Sequence, residues 1–298
     1  MIPSPPRGFR VPVVVGDSER VMHVHDWGEP HSRHVVVCVH GLTRNGRDFD
    51  VLASALSAHV RVLCPDVPGR GLSDWLARVE DYAIPVYVRF MLAMLEHCGV
   101  NRCDWVGTSM GGLIGLALAA MPERPIARFV INDVGPVIEP AALARIGAYV
   151  GRKDSFASFP EVMAAAAPAL EPFGPLTDAE RQHLLMTSYE RRSDGRWYSK
   201  IDPKIGEAFL AAMKTPPPDL WPLWRAARAR GEATLVLRGE HSDLLSRATA
   251  EAMIAEDTLA RLIEVPGTGH APMLMDTATV EAVVRFLLDG RLVAQSAK

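Results

Sequence analysis

Apolar residues recur along this chain in two rhythms, and the rhythms alternate. "VMHVHDW" (21–27) has a period of two, and "HVVVCVH" (34–40) is an unbroken β-branched run, as in a strand covered on both faces. "VRVLCPD" (60–66), "RCDWVGTS" (102–109) and "ARFVINDV" (127–134) predict three more strands. Helical spacing lies between them at 47–58 and at 82–98, the second stopping at Gly99. "MGGLIGLALAAMPE" predicts a further helix that ends near Pro122. Late in the chain come "ATLVLRG" (233–239), a helix at 246–256, "ARLIEV" (260–265) and a final helix at 277–289. This order predicts an α/β fold: a mostly parallel central sheet flanked by helices.

Residues 136–231 break the rhythm. They hold many alanines, the Pro-rich punctuation "EPFGPLTD" and "TPPPD", and Trp197, Trp221 and Trp224, but no convincing β-branched run. The stretch is expected to be a mostly helical cap inserted between two sheet strands. The core then has a first part at 1–135 and a second at 232–298.

Composition narrows the function. A net charge of -3 gives no electrostatic case for nucleic acid or an anionic membrane as partner. "LIGLALAAM" is too short to span a bilayer, and "MIPSPPRGFR" lacks the apolar core of a secretory signal. Cys38, Cys64, Cys98 and Cys103 show no metal spacing. The expectation is a reduced, cytoplasmic protein acting on a small molecule, without metal or organic cofactor.

The sharpest motif is "GTSMG", which places Ser109 between Gly107 and Gly111 where a strand gives way to a helix. A sharp turn there exposes the serine hydroxyl, and the positions two before and two after must be small to avoid collision. The helix N-terminus beneath it offers N–H donors to a developing oxyanion.

A serine nucleophile needs a base, and His270 stands out, on the glycine-rich loop "GTGHAP" before the last helix. His23, His25, His31 and His34 sit near strand starts or turns and are expected at the surface, while His97 and His183 fall in helical patterns. His40 begins "HGLTRNG", where a bracing role suits it better than a second base. The imidazole in turn needs an orienting carboxylate. Asp243, in the loop after 233–238, is preferred because the commoner arrangement puts the acid after the penultimate strand. Glu240 shares that loop, and Asp133 is the rival, otherwise a turn residue shaping the floor of the site. Leu42, after His40-Gly41, and Met110, after the serine, would present the N–H groups of an oxyanion hole. "DVPGRGLSD" (66–74) has no Lys-Ser/Thr ending, which excludes a P-loop.

Together "HGL" (40–42), "PDVPGRGLSD" (65–74), "GTSMGG" (107–112), "INDVGP" (131–136), "LRGEHSD" (237–243) and "GTGHAP" (267–272) resemble the α/β-hydrolase superfamily, in order and spacing. The resemblance implies Ser109 as nucleophile, Asp243 as acid, His270 as base, and Leu42 and Met110 as oxyanion donors. Serine at the turn separates the chain from the haloalkane dehalogenase and epoxide hydrolase branches, which carry aspartate there. The loop also lacks the His-Gly-Gly-Gly run of one lipase group and the "HGGPG" of proline iminopeptidases.

The expected reaction is cleavage of a small carboxylic ester or lactone through an acyl-enzyme. Alternatives on the same fold are a serine-dependent C–C bond hydrolase or an acyltransferase, and, outside enzymes, a ligand receptor. Arg44, Trp197, Trp221 and Trp224 are the candidate substrate contacts, an arginine in the pocket favouring an acidic substrate.

Overall fold

The computed structural model describes residues 2–288 apart from 6, 124, 153, 154 and 230. An eight-stranded sheet runs through its middle. In chain order its strands are β1 (Arg7–Val15), β2 (Ser18–Trp27), β3 (Val35–Val39), β4 (Arg61–Pro65), β5 (Cys103–Thr108) and β6 (Ile126–Asn132). Three short strands follow, β7 (Ser155–Phe156), β8 (Tyr189–Arg191) and β9 (Trp197–Ser199), before β10 (Thr234–Gly239) and β11 (Ala260–Val265) complete the sheet. Its spatial order is β1-β2-β4-β3-β5-β6-β10-β11. The β1–β2 and β2–β4 pairs are antiparallel and the rest parallel.

Alternation within each buried strand splits the interior in two. Val35, Val37 and Val39 of β3 face one core, and Val36 and Cys38 face the other. The first core is covered by α2 (Ile84–His97), α3 (Met110–Ala119) and α9 (Arg247–Glu256), the second by α1 (Asp50–Leu56) and α10 (Thr277–Leu288). The last helix thus follows the expected span, whose final position, 289, lies outside the described residues.

Every strand and helix anticipated for the sheet region is present within a few residues of its expected bounds. The first strand was not anticipated. In β1 only Val11, Val13 and Val15 are buried, with Pro12 between them, and the strand takes the sheet edge where proline is tolerated. His25 and His34, expected at the surface, are instead buried, each with its Nε2 against a carboxylate, Asp66 (3.2 Å) and Asp104 (2.6 Å).

The segment between β6 and β10 is mostly helical, with α4 (Pro140–Gly147), α5 (Phe159–Leu170), α6 (Asp178–Ser188), α7 (Lys204–Ala212) and α8 (Trp221–Arg228). It also holds a small antiparallel sheet, β7-β9-β8, that the sequence did not announce. Its own apolar cluster joins Val162, Leu170, Leu184 and Leu185 to Met273 and Met275 of the core.

Candidate active site

Strand order fixes where a site can form. From β3 the chain turns to β4 on one side, and its later strands build on the other. The loops after β3 and β5 therefore diverge at the carboxyl edge, leaving the crevice in which open α/β sheets bind ligands. Ser109 stands there, between the last residue of β5 and the first of α3.

Its backbone is strained, with φ 53° and ψ -115°. The neighbouring strand and the following helix hold it: the Ser109 N–H donates to the Asn132 carbonyl (2.9 Å) of β6, and its own carbonyl accepts from Gly112 (2.8 Å) and Leu113 (3.1 Å) of α3. The flanking glycines are required by contact. A methyl group at Gly107 would overlap the Gly111 carbonyl, and one at Gly111 would overlap the Val39 carbonyl.

His270 reaches this serine from the loop after β11, its Nε2 lying 2.9 Å from Ser109 Oγ. Its Nδ1–H donates to Asp133 Oδ2 at 2.8 Å. In a neutral imidazole so held, Nε2 is left to accept the serine proton. Asp133 is fully buried at the end of β6. Its carboxylate also accepts from the Gly239 N–H (2.9 Å) and the Ser242 hydroxyl (2.7 Å), so an ionised acid there is hydrogen-bonded from three directions.

The structure thus brings Asp133 to His270, and not Asp243, the carboxylate preferred from the sequence. Asp243 sits on the expected loop but points outward, half-exposed, into a two-pronged ion pair with Arg145 of α4 (2.6 and 2.7 Å). The arginine holds the Asp243 carboxyl below the usual carboxylate range. Neighbouring loop residues aim in different directions, and here Ser242 takes the inward one. Sequence reasoning passed over Ser242; its only mark was its place one residue before the favoured aspartate. Glu240 is also turned away, accepting from the Gly267 N–H (2.8 Å).

The His40 loop lies across from the serine, with the Gly41 backbone close enough that a methyl there would touch Ser109 Cβ at 3.6 Å. His40 braces it as expected. Burial lowers its pKa to about 4, leaving a neutral ring. Nε2 accepts from the Val67 N–H (2.9 Å), so Nδ1–H donates to the Gly41 carbonyl (2.7 Å) and fixes the peptide that carries the Leu42 N–H. Met110 is the first residue of α3, so its N–H stands outside the helix ladder.

The cleft at Ser109 is lined by Leu42, Arg44, Tyr149, Phe173, His270 and Met273, and it adjoins a larger one reaching Phe156, Leu170, Leu185 and Tyr189. Arg44 is in place, but its guanidinium is committed to Asp48 through Nε (2.9 Å) and a terminal nitrogen (2.6 Å). The three tryptophans line neither cleft. Trp197 packs on Phe159, Trp221 carries Arg225 over its ring, and Trp224 is wholly buried in the core, because large rings in a small cap fill its interior first. Among the described residues no group of three or more histidine, cysteine or acidic side chains is arranged to hold a metal ion, and no helix is long and apolar enough to cross a membrane.

Comparison with known proteins agrees with the fold. Residues 36–283 match the model of the alpha/beta hydrolase family. A 3-hydroxybutyrate-oligomer hydrolase of Cupriavidus necator is 40% identical over 96% of this chain and 99% of its own. An alpha/beta hydrolase structure from Novosphingobium aromaticivorans superposes with a TM-score of 0.83 at 35% identity, covering 95% of this chain and 98% of that one. A putative hydrolase from Rickettsia typhi reaches a TM-score of 0.84 at 25% identity, over 94% and 98% of the two chains. This chain belongs to the alpha/beta hydrolase family and is an enzyme of the hydrolase class.

Proposed function

We propose that this enzyme hydrolyses short esters of hydroxy acids, including oligomers of a 3-hydroxy acid, through an acyl-enzyme on Ser109. The observation that carries the reading is the unbroken run Ser109 Oγ, His270 Nε2, His270 Nδ1, Asp133 Oδ2, with separations of 2.9 and 2.8 Å. His270 takes the serine proton as Oγ attacks the ester carbonyl, and Asp133 stabilises the imidazolium that forms. The Leu42 and Met110 N–H groups receive the oxyanion, each donor lowering the barrier by about 3–4 kcal/mol. His270 then protonates the departing alcohol, and water repeats the sequence to free the acid.

The substrate class is supported by the relative from Cupriavidus necator, which matches from end to end. The segment between β6 and β10 serves as the lid, with Tyr149 and Phe173 shared by the catalytic cleft and its larger neighbour. Arg44, already neutralised by Asp48, offers no free charge to an acid group beside the serine, which favours an ester over a diketone acid.

The test is hydrolysis of the 3-hydroxybutyrate dimer and trimer beside p-nitrophenyl butyrate, with Ser109→Ala as control. Release of the monomer acid, lost in the variant, is expected. Turnover of p-nitrophenyl butyrate without either oligomer would contradict the hydroxy-acid assignment, and full activity in Ser109→Ala would contradict the serine mechanism.

A further inference from the structure

Close to the two backbone donors lies a charge that the serine chemistry does not use. Arg70, on the loop after β4, is fully buried. Its Nε donates to the Leu42 carbonyl at 2.9 Å, and one terminal nitrogen donates to the Pro68 carbonyl (2.7 Å) and the Tyr87 hydroxyl (2.9 Å). The other terminal nitrogen lies 3.5 Å from Met110 Sδ. The guanidinium carbon also sits 5.1 Å from the centre of the Tyr87 ring.

Among the described residues no carboxylate pairs with Arg70. Asp66, on the same loop, is turned away to the Gly46 and Leu72 N–H groups and His25. Asp74 accepts from the Val21 N–H and faces Arg10. A charge buried without an anion is costly, and carbonyls and rings compensate it only in part. Both residues that would donate to the oxyanion touch this one guanidinium.

We infer that Arg70 is an electrostatic positioning residue of the oxyanion hole: its buried positive charge, fixed to Leu42 and Met110, stabilises the anion that forms between their N–H groups. The inference rests on the serine reading above. The missing anion is the tetrahedral intermediate itself. A neutral ester gains little from the charge and the oxyanion gains much, so the effect falls on kcat rather than KM. A low-dielectric setting preserves that preference, since the nearby buried carboxylates, Asp66 and Asp202, are taken up by other partners, Asp202 by the Tyr82 hydroxyl.

Charge and hydrogen bonding separate by substitution. Arg70→Gln keeps a donor without the charge, and Arg70→Lys keeps the charge with poorer geometry. With p-nitrophenyl butyrate, Arg70→Gln is expected to lower kcat about 10–100-fold with KM changed less than about threefold. A trifluoromethyl ketone, which forms an anionic adduct on serine, should lose affinity by a similar factor. Arg70→Lys should recover most of the loss. The inference is overturned if Arg70→Gln keeps kcat and inhibitor affinity within about twofold of the parent, or if Gln and Lys lose activity equally, as a purely structural clamp would. Should Arg70→Gln not fold, citrulline at position 70, with the arginine shape and no charge, makes the same comparison. Activity surviving in Ser109→Ala would instead remove the serine reading beneath it.

Discussion

Ser109 and Asp133 both hold positive φ angles, 53° and 56°, at the carboxyl ends of adjacent strands. Such backbones cost about 1–3 kcal/mol each and persist only where neighbours enforce them. Here each residue donates its N–H to the next strand over, Ser109 to Asn132 and Asp133 to Leu237. Asp133→Asn is expected to lower kcat by about 10⁴ through the wrong imidazole tautomer, and Asp243→Asn by less than about tenfold. Steady-state kinetics of the two variants side by side checks the assignment, and a larger loss at Asp243 would reverse it. Ser242→Ala removes one of three donors to Asp133 and should cost about tenfold in kcat/KM, with a stability loss of about 1 kcal/mol by urea unfolding. The sharp turn at Ser109 was legible because one glycine on each side of it answers to a specific backbone overlap. The carboxylate partner of His270 was not, because Asp133 and Asp243 both follow buried strands. Only the direction of a loop, set by Ser242 pointing inward, decides which one meets His270.

At the scale of elements, long buried strands announced themselves and short ones did not. β3 is apolar through its length and β10 carries an unbroken Leu-Val-Leu centre because helices cover both faces, and that composition survives in the sequence. β7 has two residues and β8 and β9 three each, too few for a period of two to register. β1 has the alternation, but Pro12 within the run masks it. The cap tryptophans show a related limit: residue type marks a large apolar group without saying whether it faces a ligand or a neighbouring helix. Trp224 is buried among core residues beneath α3. Trp224→Ala should therefore cost about 3–5 kcal/mol in unfolding free energy, with KM for p-nitrophenyl butyrate changed little. A shifted KM with unaltered stability would return this ring to the pocket.

Across the whole molecule, the mostly helical segment between β6 and β10 is joined to the rest at the loop that carries His270. Met273 and Met275, just beyond His270, belong to the lid's apolar cluster, and the Arg145–Asp243 pair ties α4 to the loop after β10. Leu184→Ala, which thins that cluster, should lower stability by about 2–5 kcal/mol and also reduce kcat/KM, since it loosens the packing that aims His270. Unfolding curves and kinetics on one preparation test both, and a stability loss with unchanged kinetics would separate the lid from the base. The fold also carries an acid sensitivity. His40 is neutral when folded down to about pH 4, whereas an exposed histidine takes its proton near pH 6.5. As pH falls through that window the unfolded chain binds the extra proton, so His40 withdraws up to about 3 kcal/mol of stability. Urea unfolding between pH 7 and about pH 4 should show this decline, shallower in His40→Gln; equal slopes would show that His40 is not the group titrating.

The proposed serine chemistry requires that Ser109 become covalently acylated during turnover. Acid-quenching the enzyme within milliseconds of mixing with p-nitrophenyl butyrate, followed by peptide mass analysis, tests it directly. A butyryl group is expected on the peptide containing Ser109, accumulating before steady state and absent from Ser109→Ala. Turnover at the parent rate in Ser109→Ala, with no acylated peptide at any quench time in the parent enzyme, would contradict it.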